Sequence, residues 1–304
     1  MATSAQVAAN DQACVAILVG PYSSYREAAC VLQETLEQKG LRCVLIELPK
    51  AADEPAHAEA LKRLVEARPT VIATSGANIT VLALETVQKT PVVFFMVHNA
   101  LDASFMAKDN PDRVRVAGVA ADVSPEDWID WIIRLVPHSK RIGVLGSVRT
   151  KRTVEAIGRA AGKRNVMLSI VDVGKDDFLQ ALDTLNREHP NGVLMTLDAK
   201  VYNSATVERL LVWGIREKQP VWAFSASIVR AGAFAGLYPQ TEAVGRQAAE
   251  LVQKVIDGTA PNKLGVQYPR QVTSAVNART AEMIGVPLSN KAVDEKTVRF
   301  GAKP

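Results

Sequence analysis

The sequence predicts an α/β protein made of two doubly wound parallel-sheet lobes joined by crossover strands. Three observations carry that expectation. First, one unit recurs: an apolar strand, a small-polar loop, then an amphipathic helix. Cys14–Gly20 (CVAILVG) runs into PYSSYREAACVLQETLEQKG, and Val71–Ala73 runs into TSGANITVLALETVQ. Arg141–Gly146 (RIGVLG) runs into SVRTKRTVEAIGRAAGKR, and Gly192–Leu197 (GVLMTL) into DAKVYNSATVERLLVWGIREK. Second, the strand segments are continuous apolar runs, as expected of strands buried on both faces, and their alternation with helices implies parallel βαβ units. Third, the units fall into two series of about equal size within 304 residues, a length that supports two cores.

Taken in order, strands are expected near 14–20, 42–48, 70–74 and 91–97, with helices near 24–39, 57–68 and 77–88. Gly40 sits just past the first helix, where a C-terminal stop belongs. The segment Val114–Val119 (VRVAGV) leads into DVSPEDWIDWIIRLVP, in which Ser124 reads as an N-cap, Pro125 as the first helical residue and Asp127 as the capping-box partner. The second series has strands near 141–146, 166–172, 192–197 and 220–224, and helices near 150–164, 175–188 and 201–218. The break between the series falls around 112–122 and holds no Gly/Ser- or Pro-rich tether. After Phe234–Tyr238 come a long helix at Thr241–Gly258, a strand near 271–276 and a short helix near 279–284. Trp128 and Trp131, spaced i, i+3, and Trp213 and Trp222 read as core.

Composition narrows the function classes. A hydrophobic fraction of 48%, a charged fraction of 22% and a net charge of +4 are ordinary for a globular protein. Acidic and basic residues interleave along helices, and no basic stripe with aromatics appears, which argues against nucleic-acid binding. No stretch reaches the roughly 20 apolar residues that span a bilayer. The opening MATSAQVAANDQA is small and polar, like a mature N-terminus behind an added Met, and fits either a cytoplasmic protein or an exported one whose signal peptide or lipid anchor lies outside the sequence. Cys14, Cys30 and Cys43 show no CxxC or zinc spacing and read as small buried side chains, although Cys14 and Cys43 open neighbouring strands and a disulfide is conceivable there.

No GxGxxG follows the first strand, no GxxxxGK[ST] occurs and no GxSxG elbow appears, so neither a nucleotide cofactor nor local nucleophilic catalysis is indicated. No metal-ligand spacing is present. His57, His138 and His189 read as exposed. The hydroxyl- and amide-rich loops at strand carboxyl ends suit a binding cleft. Tyr22 and Ser23 precede Ser24, a natural N-cap, and face the cleft. In Ser75-Gly76-Ala77-Asn78, Gly76 lets a ligand approach the backbone and the following N–H groups suit a carboxylate; a plain cap by Asn78 fits equally. His98 and Asn99 follow the fourth strand. On the other side Arg149 is able to fork onto a carboxylate. Asp198 is placed to accept from an amine or to cap the helix near Val201, and Tyr202 offers a ring to an apolar ligand. Ser225 and Ser227 end the PVWAF strand, one of them as a cap.

The order of several segments resembles a known family. AGAFAGLYPQTEAVGRQAAELVQKVIDGTAP followed by SAVNARTAEMIGVPL is similar to the C-terminal signature of ABC-transporter substrate-binding proteins of the type I periplasmic-binding-protein fold, in the subfamily that includes tryptophan- and tyrosine-type binders. KTPVVFFMV, LVPHSKRIGVLGS and PVWAFSASIVRAGAFAG resemble further family segments, and the likeness spreads from about 13 to 290. It implies a first lobe at 12–117 with 238–260, a second at 118–237 with 261–304, and hinges near 114–122, 234–240 and 259–270. It also implies closure of the two lobes around a small organic ligand, an ABC permease as partner, no catalysis and no cofactor. The expected protein is a monomer, periplasmic or extracellular and membrane-associated without spanning. A ligand-sensing domain of a regulatory system is the alternative on the same fold. Where the family carries Asp then Pro this chain has Asn99-Ala100, and Asp198 is followed by Ala199 in place of Asn. The ligand is therefore expected to be an amino acid or an aromatic or apolar carboxylate.

Overall fold

The computed structural model describes residues 13–49, 54–173, 178–288 and 293–301. Positions 12, 50–53, 174–177, 289–292 and 302–304 of the expected lobes and helices lie outside the described residues. In chain order the first series is β1 (Cys14–Val19), α1 (Ser23–Glu37), β2 (Arg42–Glu47), α2 (Glu54–Glu66), β3 (Val71–Ser75), α3 (Ala77–Thr86), β4 (Val92–Val97) and β5 (Val116–Ala120). The second is α4 (Pro125–Leu135), β6 (Arg141–Gly146), α5 (Lys151–Gly162), β7 (Met167–Asp172), α6 (Phe178–Arg187), β8 (Val193–Leu194), α7 (Ser204–Arg216), β9 (Val221–Ala223), α8 (Ala226–Ala231) and β10 (Ala235–Pro239). The chain ends through α9 (Thr241–Ile256), α10 (Pro261–Leu264), β11 (Val266–Gln267), β12 (Val272–Asn277), α11 (Ala278–Ile284) and β13 (Val298–Phe300).

The chain divides into two units, each with its own sheet. The first takes the described residues to His98, then Ala103–Ala121 and Thr241–Arg270; the second takes Asn99–Asp102, Asp122–Gln240 and those from Gln271 onward. The stretch 261–270, expected with the second lobe, thus lies in the first, because β11 pairs with β5 there. Tyr238, Pro239 and Gln240 go the other way, since β10 pairs with β9 and β12. The break falls at Ala121/Asp122, so Gly118–Ala121, expected with the second lobe, lie in the first.

In the first unit the strand order is β11-β5-β4-β3-β1-β2, parallel throughout. All of β1 and β4 is buried, which is why their sequences are unbroken apolar runs. One face packs Val15, Ile17, Val19, Val93 and Phe95 against Ala28, Leu32 and Leu36 of α1 and Val244, Ala248 and Val252 of α9. The two helices approach so closely that a Cβ on Gly245 would stand 2.2 Å from the Ala28 carbonyl oxygen.

In the second unit the order is β13-β12-β10-β9-β8-β6-β7, with only the β10/β12 pair antiparallel. Ile142, Val144 and Trp222 face α4 and α5, while Leu145, Val193 and Ala223 face α6 and α7. Trp128 and Trp131 meet edge to face at 6.2 Å in the first of these cores, and Trp213 lies in the second.

Local signals account for the helix starts unevenly. Ser124 caps α4 by accepting from the Asp127 N–H at 3.0 Å, and its hydroxyl donates to the Asp127 carboxylate at 2.7 Å. Ser24 is not a cap: α1 opens one residue earlier with Tyr22 at the cap position and no side-chain cap bond. The helix expected from 201 begins at Ser204, capped by Asn203. Cys14 is buried, Cys43 half-buried and Cys30 exposed; all three are free thiols, so the expectation of three buried side chains fails at Cys30.

Candidate functional site

Strand order locates the loops that matter. In the first unit β1 lies between β2 and β3, and in the second β6 lies between β7 and β8. The winding direction reverses between β1 and β3 and again between β6 and β8. In open α/β sheets ligands bind beyond the strand carboxyl ends at such a reversal. The loops there carry Tyr22 and Ser23, then Ser75, Gly76 and Asn78, in the first unit, and Arg149, Asp198 and Tyr202 in the second.

In the first unit the reversal is stitched by the buried Ser75 hydroxyl, which accepts the Gly20 N–H at 2.9 Å. Gly76 takes the N-cap position of α3 at φ +75°, and no side chain caps the helix, so Asn78 is exposed in the first turn and not a cap. The ring of Tyr25 lies over both glycines: a Cβ on Gly76 would stand 2.7 Å from its hydroxyl oxygen, and one on Gly20 3.2 Å from its Cδ2. Tyr25 also meets Tyr22 edge to face at 5.2 Å, and Tyr22 is 59% exposed. Burial, then the neighbouring Tyr22, pushes the Tyr25 phenol above its ordinary pKa. Sequence reasoning missed Tyr25; the available signal was a glycine at each of two strand ends with a tyrosine one helical turn past the loop. Ser23 and His98 are exposed at the same sheet edge.

Backbone strain gathers at this edge. The β4/β5 pairing is irregular between Phe95 and Val97, and there Met96 adopts φ +56°, with Asn99 at +48°. Positive φ at a buried methionine is costly and is commonly held at functional sites.

Asn99 belongs to the second unit, not to the side that His98 occupies. Its N–H donates to an Asp122 carboxylate oxygen at 2.6 Å and its side-chain amide donates to the Leu197 carbonyl. Asp198 is 2% exposed. One carboxylate oxygen accepts from Ser147 Oγ at 2.7 Å and Thr150 Oγ1 at 3.1 Å, and the other accepts the Lys200 N–H at 3.0 Å. The residue therefore ties the loops after β6 and β8 together and does not cap α7. Tyr202 corrects the reading of an offered ring: it is 8% exposed among Leu145, Val193 and Leu210, and its hydroxyl donates to the Leu145 carbonyl at 3.4 Å. Burial, with the Asp198 charge second, raises its phenol pKa. Arg149 is exposed, and among the described residues its guanidinium has no ion-pair or hydrogen-bond partner. Ser225 is the cap of its pair, accepting the Ile228 N–H at 3.4 Å, with Ser227 at 3.0 Å.

Among the described residues no group of three His, Cys, Asp or Glu side chains is arranged to hold a metal ion, and no helix is long and apolar enough to cross a membrane.

Comparison with known proteins gives a consistent picture. A family described as ABC transporter substrate binding protein matches residues 14–297. No curated protein matches the chain. Among solved structures, a ligand-free, open substrate binding protein with adhesive properties, CD0873 from Clostridium difficile, superimposes with a TM-score of 0.70 at 16% identity, covering 96% of this chain and 100% of that one. An ABC domain in complex with L-Trp from Streptococcus pneumonia gives 0.61 at 16% identity, with coverage of 94% and 99%. A conserved domain protein from Vibrio cholerae gives 0.63 at 19%, with 95% and 99%. At these identities the structural likeness speaks for the fold.

Proposed function

Since the chain belongs to the family of ABC transporter substrate binding proteins, we propose that it is the solute-binding component of an importer, closing its two lobes around a small organic ligand and presenting it to a membrane permease. The family match over nearly the whole chain is the observation that carries this reading. The ligand we propose is an amino acid or an aromatic or apolar carboxylate, held by loops at the carboxyl edges of the sheets. The exposed Tyr22 ring, the polar groups of Ser23, Asn78 and His98, and the guanidinium of Arg149 support it. So does the L-Trp bound by a protein of the same fold. The protein acts outside the cytoplasmic membrane, as a monomer and without covalent chemistry.

Thermal-shift screening of amino acids, aromatic acids, sugars and nucleosides tests the reading. A ligand at 100 times its Kd stabilises the native state by about 2.7 kcal/mol, which a melting curve reads directly. Absence of any stabilising solute, or turnover of one that binds, overturns it.

A further inference from the structure

Resting on that reading, we infer that the second unit recognises the anionic end of a ligand that carries a carboxylate and no free amine. Charged groups at the carboxyl edge decide the matter. An ammonium group entering a protein needs an acceptor to replace the water that it loses, and a carboxylate is the acceptor best suited to it. Asp198 stands where such a group is expected, yet both of its oxygens already accept hydrogen bonds, from Ser147, Thr150 and the Lys200 N–H, and the residue is almost wholly buried. Three of its about four acceptor sites are taken, and burial keeps an incoming ammonium from the fourth unless one of these donors gives way and is left unpaired.

The neighbouring groups lead to the same result. Asp122 receives the Asn99 N–H at 2.6 Å, and the Leu197 carbonyl receives the Asn99 side-chain amide. The remaining oxygen of that amide, Oδ1, is sealed from solvent. Position 99 itself is a neutral amide. In the first unit the loops Gly20–Ser23 and Ser75–Asn78 hold no Asp or Glu. Arg149 shows the opposite sign: an exposed guanidinium with no ion-pair or hydrogen-bond partner among the described residues, presented from the Val148–Thr150 turn that Ser147 and Thr150 pin to Asp198. Its planar fork matches a carboxylate in two parallel hydrogen bonds. Among the described residues, the loops after β6 and β8 thus offer a cation to an anion and no unengaged carboxylate to a cation.

Calorimetric titration of the full chain with matched pairs tests the inference: 3-phenylpropionate against L-phenylalanine, and indole-3-propionate against L-tryptophan. The amine-free acid is expected to bind at least tenfold more tightly in at least one pair. Arg149→Gln is expected to weaken that acid at least fivefold while leaving the unliganded melting temperature unchanged, and Arg149→Lys to recover part of the loss. Equal or tighter binding of the amino acids, no binding of either member of both pairs, or an Arg149→Gln affinity equal to wild type overturns the inference. A sugar or nucleoside that stabilises the chain in the broader screen also overturns it, but leaves the solute-binding reading standing.

Discussion

Asp198 shows how a residue that looks like a ligand contact acts as an internal brace. Its three donors come from loops that the sheet brings together, and a buried carboxylate held by charge-assisted bonds is strongly position-defining. Asp198→Ala leaves the Ser147 hydroxyl and the Lys200 N–H without their acceptor and the Thr150 hydroxyl with only the Ser147 carbonyl. We expect a loss of about 2–4 kcal/mol of stability in urea unfolding. A loss of ligand affinity with unchanged stability would instead mark Asp198 as a ligand contact. The sequence placed Asp198 at the correct strand end because an apolar run followed by a small-polar loop is a local signal. Its partners were not legible, since they lie 48 and 51 residues earlier in the chain. Tyr202 misled for a related reason. A helix starting near 201 would have turned its ring outward, but the helix starts at Ser204 and the preceding turn directs the ring into the core.

Helix α5 draws its cap from a distant segment. Thr150, at its N-cap position, makes no side-chain cap bond. The carboxylate of Asp102 takes that role, accepting the N–H groups of Arg152 at 2.7 Å and Thr153 at 2.9 Å and the Thr153 hydroxyl at 2.7 Å. An anion there also meets the positive end of the helix dipole. Asp102→Ala is expected to cost about 1–2 kcal/mol, with amide exchange accelerated first in the opening turn of α5. Unchanged exchange in that turn counts against the cap. Comparison with α4 explains what is readable at this scale. Ser124 and Asp127 are three residues apart, so the motif is visible as a string. Asp102 and α5 are about fifty residues apart, and only the fold joins them. The short elements α8, α10, β11 and β13 were invisible for another reason: a few residues cannot display a period.

For the molecule as a whole, the repeated strand–loop–helix unit was enough to give two sheets and their strand types. It did not assign the C-terminal quarter correctly, because 261–270 offers only a one-turn helix and a two-residue strand as signals. That quarter serves both units. It supplies α9 and β11 to the first, and β12 and β13 to the second. Truncation after Gln240 therefore strips Val244, Ala248, Leu251 and Val252 from one core and removes the β12 partner of β10 in the other. The shortened chain is expected to lose the cooperative melting of both units, as read by circular dichroism and protease resistance; a surviving sharp transition would show that one unit stands without it. The same interleaving bears on inheritance. The chain passes from one unit to the other at His98/Asn99, Asp102/Ala103, Ala121/Asp122, Gln240/Thr241 and Arg270/Gln271, so neither unit is a continuous stretch of gene. No single recombination cassette carries either one away intact. A backbone nick at Ala121/Asp122 leaves α1 on one fragment and α9 on the other, still packed in the same core, so the severed halves remain a split protein held by its own interior.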